Sequence, residues 1–174
     1  MKNPKLKILL LGSTGVGKTD LVQRFIQSSL ETDFKLTVGI DILTKDFEYN
    51  PGKFATLSIW DIGSQQRFEH IRSTFYKGSD GALILFNSTN EDTFKDAKKW
   101  LKELKKYAGD NIPFTMVENN ISFNGEIEKS IDRNEAYSFA EKEGGFYIKV
   151  SSITGENINE AFIELTRRII KSST

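Results

Sequence analysis

Eight residues, Gly12-Ser13-Thr14-Gly15-Val16-Gly17-Lys18-Thr19, constrain this chain more than any other feature, because they fit G-x-x-x-x-G-K-[ST] between an apolar run and an amphipathic segment. Leu6 to Leu11 reads as a strand, and Leu21, Val22, Phe25 and Ile26 recur at helical spacing, so the loop joins a strand to a helix N-terminus. In that setting Gly15 and Gly17 let backbone N–H groups, with that of Val16 between them, close around phosphate oxygens, and the helix end adds partial positive charge. Lys18 supplies a full charge, and Thr19 a hydroxyl of the kind that coordinates magnesium between the last two phosphates of a nucleotide. A chance match in a chain this long is expected in roughly one sequence in a few hundred, and the flanking strand and helix narrow it further. A glycine-rich turn that merely caps a helix is therefore set aside.

The rest of the chain repeats the alternation. Gly81 to Phe86, Phe114 to Val117 and Phe146 to Val150 are short apolar or β-rich runs, as parallel strands buried on both faces require. Helical spacing recurs in Phe94, Ala97, Trp100, Leu101 and Leu104, in Ala136, Phe139 and Ala140, and in Ile158, Ala161, Phe162, Leu165 and Ile169. Between Thr37 and Trp60 two extended runs flank Asn50-Pro51-Gly52-Lys53, which reads as an antiparallel hairpin with Leu57 and Ile59 inward and Thr56 and Ser58 outward. The fold class expected is α/β of the P-loop NTPase type: a six-stranded, mostly parallel sheet with one antiparallel edge strand, and about five helices. At 174 residues, without repeats or linkers, the chain reads as one domain over 1–174 with its core from about 5 to 171.

Composition excludes several partners and chemistries. Lys plus Arg equals Asp plus Glu at 24 each, so no global field favours nucleic acid or an anionic membrane. With no cysteine the chain has no thiolate site and no direct prenyl or palmitoyl anchor. No apolar run approaches a membrane span and the first residues show no signal-peptide pattern, so the expected location is cytoplasmic.

Trp60-Asp61-Ile62-Gly63-Ser64-Gln65-Gln66-Arg67-Phe68, followed by Phe75-Tyr76-Lys77-Gly78-Ser79-Asp80-Gly81-Ala82, resembles the Rab pattern WDTAGQERF…YYRGADGA. Thr37-Val38-Gly39-Ile40-Asp41-Ile42 is similar to the Rab switch I sequence TIGVDF, and Thr154-Gly155-Glu156-Asn157-Ile158-Asn159-Glu160-Ala161-Phe162 to TGENVNEAF. The likeness to Rab-like small GTPases of the Ras superfamily runs from Lys7 to about Ile170. It implies a small-GTPase G domain working as a GTP/GDP switch in vesicle traffic. It also implies that Asp61 reaches magnesium through water, that Thr37 closes switch I onto magnesium and the third phosphate, and that Gln65 orients the attacking water. Asp61, at a strand end beside the phosphate loop, stands at the acidic position without the family; Thr37 and Gln65 acquire a role only through it. The resemblance extends the nucleotide contacts to Thr14, Asp20, Phe34, Ser64, Asn119, Asn120, Ser122, Ser151, Ser152 and Ile153. Protein effectors and regulators are expected through the switch regions.

Several of these positions depart from the family. The guanine motif NKxD reads Asn119-Asn120-Ile121-Ser122, and Ser122 cannot accept the two hydrogen bonds that guanine N1 and N2 give to an Asp carboxylate. Two hydrogen bonds to a charged acceptor are worth about 3 to 6 kcal/mol, or roughly 10² to 10⁴ in affinity. The SAK motif reads Ser151-Ser152-Ile153, in which Ile153 can still cover a ring face and Ser152 still offers a backbone N–H, and the base-packing aromatic of switch I is Leu30. The DxxG glycine aligns with Ser64, one residue after Gly63. Thr14 stands where Ras-like proteins commonly have Gly or Ser, near where Gln65 must swing, which implies slow hydrolysis.

Two readings stand beside each other on the sequence alone. One is a switch with weakened guanine selectivity. The other is a pseudo-GTPase scaffold with weak, relaxed or no nucleotide binding. A P-loop kinase or ATPase would need an Arg-bearing lid, and no Arg-rich insertion occurs. His70 is read as a surface histidine, Asp132 as a helix N-cap, and the lysines of the third helix as a solvated face interleaved with Glu91, Asp92, Asp96 and Glu103. Phe68, Phe75, Tyr76, Trp60 and Phe47 are spaced as an aromatic patch between the switches, with core packing an equal reading for some. Attachment to endomembranes is left to partners or to a tail beyond Thr174.

Overall fold

The computed structural model describes residues 2–26, 32–37, 40–63, 69–121 and 131–174, with the backbone alone at 32–37, 40, 69 and 70. Its elements run β1 (Lys5–Leu11), α1 (Lys18–Ile26), β2 (Thr32–Thr37), β3 (Ile40–Asn50), β4 (Lys53–Ile62), α2 (Glu69–Tyr76), β5 (Gly81–Asn87), α3 (Glu91–Ala108), β6 (Phe114–Asn119), α4 (Arg133–Lys142), β7 (Phe146–Val150) and α5 (Ile158–Ser172).

The strands form one sheet in the order β2-β3-β4-β1-β5-β6-β7. The α/β P-loop class and the five helices are as the sequence implies, but the sheet has seven strands rather than six. The additional strand is β2, which pairs antiparallel with β3 and takes the edge that the sequence assigned to the hairpin. Its run Asp33-Phe34-Lys35-Leu36-Thr37 does alternate polar and apolar, but two apolar residues in six are too short a signal to assign a strand from sequence. Since β3 is antiparallel to both neighbours and all other pairs are parallel, it remains the one strand running against the rest.

The hairpin turns at Pro51-Gly52, where Gly52 has φ +74° and its N–H donates to Glu48 Oε1 at 2.8 Å. Along β4, Ala55, Leu57 and Ile59 are buried and Thr56 and Ser58 are not, as the alternation requires.

The sheet divides the core into two halves. Ile8 and Leu10 of β1 join Leu21, Val22 and Phe25 of α1 and Phe162 and Leu165 of α5 on one face. Leu9 and Leu11 join Phe94, Leu101 and Leu104 of α3 and Ala136 and Ala140 of α4 on the other. Alternate residues of one strand thus feed opposite cores, which is why β1 is apolar without a break from Ile8 to Leu11. Phe25 stacks on Phe162 with centroids 3.8 Å apart and meets Phe47 edge-on at 5.1 Å. Phe47 and Tyr76 are therefore core residues rather than parts of an exposed patch, whereas Trp60 and Phe75 are only partly buried and pack together at 5.9 Å. Phe68 lies outside the described residues. Among the described residues no helix is long and apolar enough to cross a membrane.

Candidate functional site

Every strand from β4 across the sheet to β7 delivers a polar group at its C-terminal end. β1 runs into the phosphate loop, β4 ends at Asp61-Ile62, β5 at Asn87-Ser88, β6 at Asn119 and β7 at Ser151-Ser152. The chain departs to opposite sides of β1, toward β4 in one direction and β5 in the other, so the loop sits where strand order reverses, the usual crevice for a ligand in such sheets.

The phosphate loop is held by close approach on both flanks. A Cβ on Gly12, whose φ is +150°, would lie 2.8 Å from Leu85 O and 2.9 Å from Val16 Cγ2, so only glycine fits where the loop leaves the sheet. Gly17, at φ +84°, lies against the Asn119 side-chain amide, and any side chain there would collide with it. Thr14, Gly15, Thr19 and Asp20 are exposed at the loop mouth and Val16 is buried beneath it. Lys18 Nζ donates to Ile62 O at 2.8 Å and lies 3.5 Å from Asp61 Oδ1. Burial lowers the Lys18 pKa and Asp61 opposes that shift; burial raises the Asp61 pKa and Lys18 opposes it. Each group thus opposes the loss of its partner's charge at the place where phosphates are expected.

Asn119 organises the side of the site where the sequence places base recognition. It is fully buried; its Nδ2 donates to Val16 O at 2.9 Å and Ser152 Oγ at 3.1 Å, while its Oδ1 accepts from the Ser152 N–H at 2.9 Å. One side chain therefore ties together the phosphate loop, the end of β6 and the loop after β7. Ser151 Oγ accepts from the N–H groups of Ile153, at 3.2 Å, and Thr154, at 3.1 Å, which folds that loop back on itself. The Asn120 N–H donates to Val150 O at 2.9 Å. Arg24 of α1 donates through Nε to Ser152 O at 3.1 Å and through its guanidinium to Ile153 O. This clasp was not found in the sequence, where Arg24 is one basic residue in a last helical turn.

The residues present fit magnesium. One hydroxyl, Thr19, and one carboxylate, Asp61, suit a cation that keeps several waters and shares ligands with substrate phosphates. Among the described residues no group of three or more His, Cys, Asp or Glu is arranged to hold a metal by itself. Thr37 ends β2, in register with Ile40, and Phe34 pairs with Leu43. Leu30, Ser64, Gln65 and Ser122 lie outside the described residues; His70 is in the first turn of α2. Asp132 caps α4 as expected, accepting from the Asn134 N–H at 2.9 Å.

The acids of α3 do more than solvate its lysines. Lys98 and Lys105 pair with Glu135 and Glu143, at 3.5 and 2.8 Å, outside α3. Asp96 accepts from Ser13 of the phosphate loop at 2.8 Å, and Glu103 is tied to α2. The solvated-face reading is corrected at these two positions, because the topology places α3 beside both elements.

Comparison with known proteins agrees with this geometry. A sequence model of the Ras family matches residues 7–171. The chain is 37% identical to the Ras-related protein Rab-1D of Dictyostelium discoideum over 163 residues, covering 94% of this chain and 78% of that one. It is 33% identical to the GTP-binding protein YPTC5 of Chlamydomonas reinhardtii, covering 98% and 85% of the two chains. It is also 34% identical to human Ras-related protein Rab-22A, covering 95% and 84%.

Proposed function

The chain belongs to the Ras family as a Rab-like small GTPase, and from that premise we propose a magnesium-dependent GTP/GDP switch in vesicle traffic with weakened guanine recognition and slow hydrolysis. Residues 1–174 act in this reading as one G domain, cytoplasmic and peripheral at endomembranes through partners or a further C-terminal segment. Effectors and regulators dock at the switch regions.

The observation that carries the proposal is the Asn119 tie, because it brings Val16 of an intact phosphate loop and Ser152 of the altered base loop into one buried unit. Bound magnesium would supply charge neutralisation at the phosphates, and Thr19, Asp61 and, from switch I, Thr37 would hold it. Lys18 and the loop N–H groups bind and orient the phosphates. Gln65 is the residue proposed to hold the attacking water, and the β-branched Thr14 crowds its path. On the base side the frame remains and the selecting groups do not: Ser122 replaces the bidentate carboxylate, while Asn120 and Ile153 replace two lysines. Ser64 at the switch II glycine position would weaken the link from third phosphate to α2, on the order of 1 to 2 kcal/mol if positive φ is required there.

Calorimetric titration of nucleotide-stripped protein with GDP, GTP and ATP, with and without magnesium, tests this reading. The expected result is weak, magnesium-dependent binding that rises for guanine nucleotides alone in a Ser122→Asp, Ile153→Lys double variant. If neither protein binds any of the three, the switch is refuted.

A further inference from the structure

Asp96, Trp100 and Glu103 are spaced four and three residues apart, so they form one stripe along α3. At one end of the stripe, Asp96 Oδ2 accepts from Ser13 Oγ at 2.8 Å, and the Trp100 indole N–H points at the same hydroxyl, 3.4 Å away. At the other end, the Arg72 guanidinium lies over the Trp100 ring, 4.8 Å from its centroid. Arg72 Nη2 and Nε reach Glu103 Oε1 at 3.1 and 3.3 Å, and the Tyr76 hydroxyl donates to Glu103 Oε2 at 2.9 Å. The path is buried throughout its centre, with Arg72 at 6%, Trp100 at 8% and Tyr76 at 0% exposure.

A charged pair in such a place is costly. Desolvating Arg72 and Glu103 offsets much of their attraction, and well-packed apolar side chains would hold α2 on α3 at least as firmly. What the polar set adds is direction: each group accepts its neighbour in one geometry only, so displacement at one end forces rearrangement at the other. The two ends are functional. Ser13 is a phosphate-loop residue, and α2 continues the segment that resembles switch II.

We propose that the Asp96–Trp100–Glu103 stripe is a relay that positions α2 according to the state of the phosphate loop, with Trp100 as its central positioning residue. The relay rests on the switch reading for its purpose, though its geometry does not. It places control of α2 on α3 and the phosphate loop, and it makes Trp100 an internal reporter of bound nucleotide.

The test uses the full chain with Trp60→Phe, which leaves Trp100 as the one tryptophan of the original two. Ser13→Ala and Arg72→Met are added singly and together. Calorimetry with magnesium-GDP and magnesium-GTP establishes binding; Trp100 emission, nucleotide off-rates and the unfolding midpoint of nucleotide-free protein are then followed. The expected result is a change in Trp100 emission on nucleotide addition that Arg72→Met removes and Arg72→Lys partly restores. Off-rates in the double variant should depart from the product of the single effects by about threefold or more, although Ser13 and Arg72 make no direct hydrogen bond with each other among the described residues and meet through Trp100 of α3. Unchanged emission with bound nucleotide, or off-rates that simply multiply, would overturn the relay. If calorimetry shows no binding, the switch reading fails, and nucleotide-free unfolding decides the relay: additive midpoint shifts reject it and non-additive shifts uphold it.

Discussion

Replacing Asn119 with alanine should unfasten the site without touching the phosphates. The substitution removes three hydrogen bonds at a fully buried position and leaves Val16 O and the Ser152 N–H without that partner. Ser152 Oγ can rotate toward another acceptor, but the two backbone groups cannot. Each stranded group costs about 1 to 2 kcal/mol, so a loss of about 2 to 4 kcal/mol is expected. For a chain of 174 residues that corresponds to a fall in melting temperature of roughly 5 to 15 °C. Asn119→Asp offers a sharper contrast, since it keeps an acceptor for the Ser152 N–H but aims a carboxylate oxygen at Val16 O, and it should be at least as harmful. Urea unfolding followed by far-ultraviolet circular dichroism reads both, with the slope m unchanged so that the midpoint reports stability. A loss below about 0.5 kcal/mol for Asn119→Ala would refute the tie as the fastening of the two loops.

Three further outcomes follow from other parts of the molecule. Lys45, whose Nζ donates to Phe25 O at 2.6 Å and lies over the Phe25 ring, has its pKa lowered by burial to about 8 from 10.5. The unfolded chain therefore binds more protons between those values, and stability should rise with pH from about 8 to 9.5, by less than about 1.4 kcal/mol per unit for this proton. Lys7 and Lys18, also lowered chiefly by burial, act in the same direction, and Tyr76 and Tyr147, raised chiefly by burial, act oppositely above that window. Chemical unfolding at several pH values should show a flatter rise in Lys45→Met. Arg133→Ala should cost about 3 kcal/mol in urea unfolding, because it removes the charge partner of the Glu118 carboxylate, only 1% exposed and 3.2 Å from Arg133 Nε; Glu118→Met should cost less. Thr14→Gly should speed single-turnover GTP hydrolysis by about tenfold, equivalent to about 1.4 kcal/mol of relieved crowding, in a quenched assay beside the parent.

The sequence by itself determined the parts whose information is local. A phosphate loop needs its glycines and lysine within eight residues, a hairpin needs its turn residues, and a helix shows its buried face at three- and four-residue spacing. Thus every apolar position assigned to the buried faces of α3 and α5 is buried, and Asp132 caps α4. Only the tertiary structure decided where polar groups find partners across long intervals of chain. Asn119 meets Val16 from 103 residues away, Arg24 meets Ser152 from 128, and Ser13 meets Asp96 from 83. No periodicity marks such pairs, because a hydrogen bond is specified by where two elements dock rather than by what lies beside either residue in sequence. The same reason separates Phe47 and Tyr76, which the sheet and helices cover, from Trp60 and Phe75, which stay partly open. It also explains why Asp96 and Glu103, which look in sequence like any acids on a lysine-rich helix, became connectors once the crossover from β5 to β6 laid α3 against both the phosphate loop and α2.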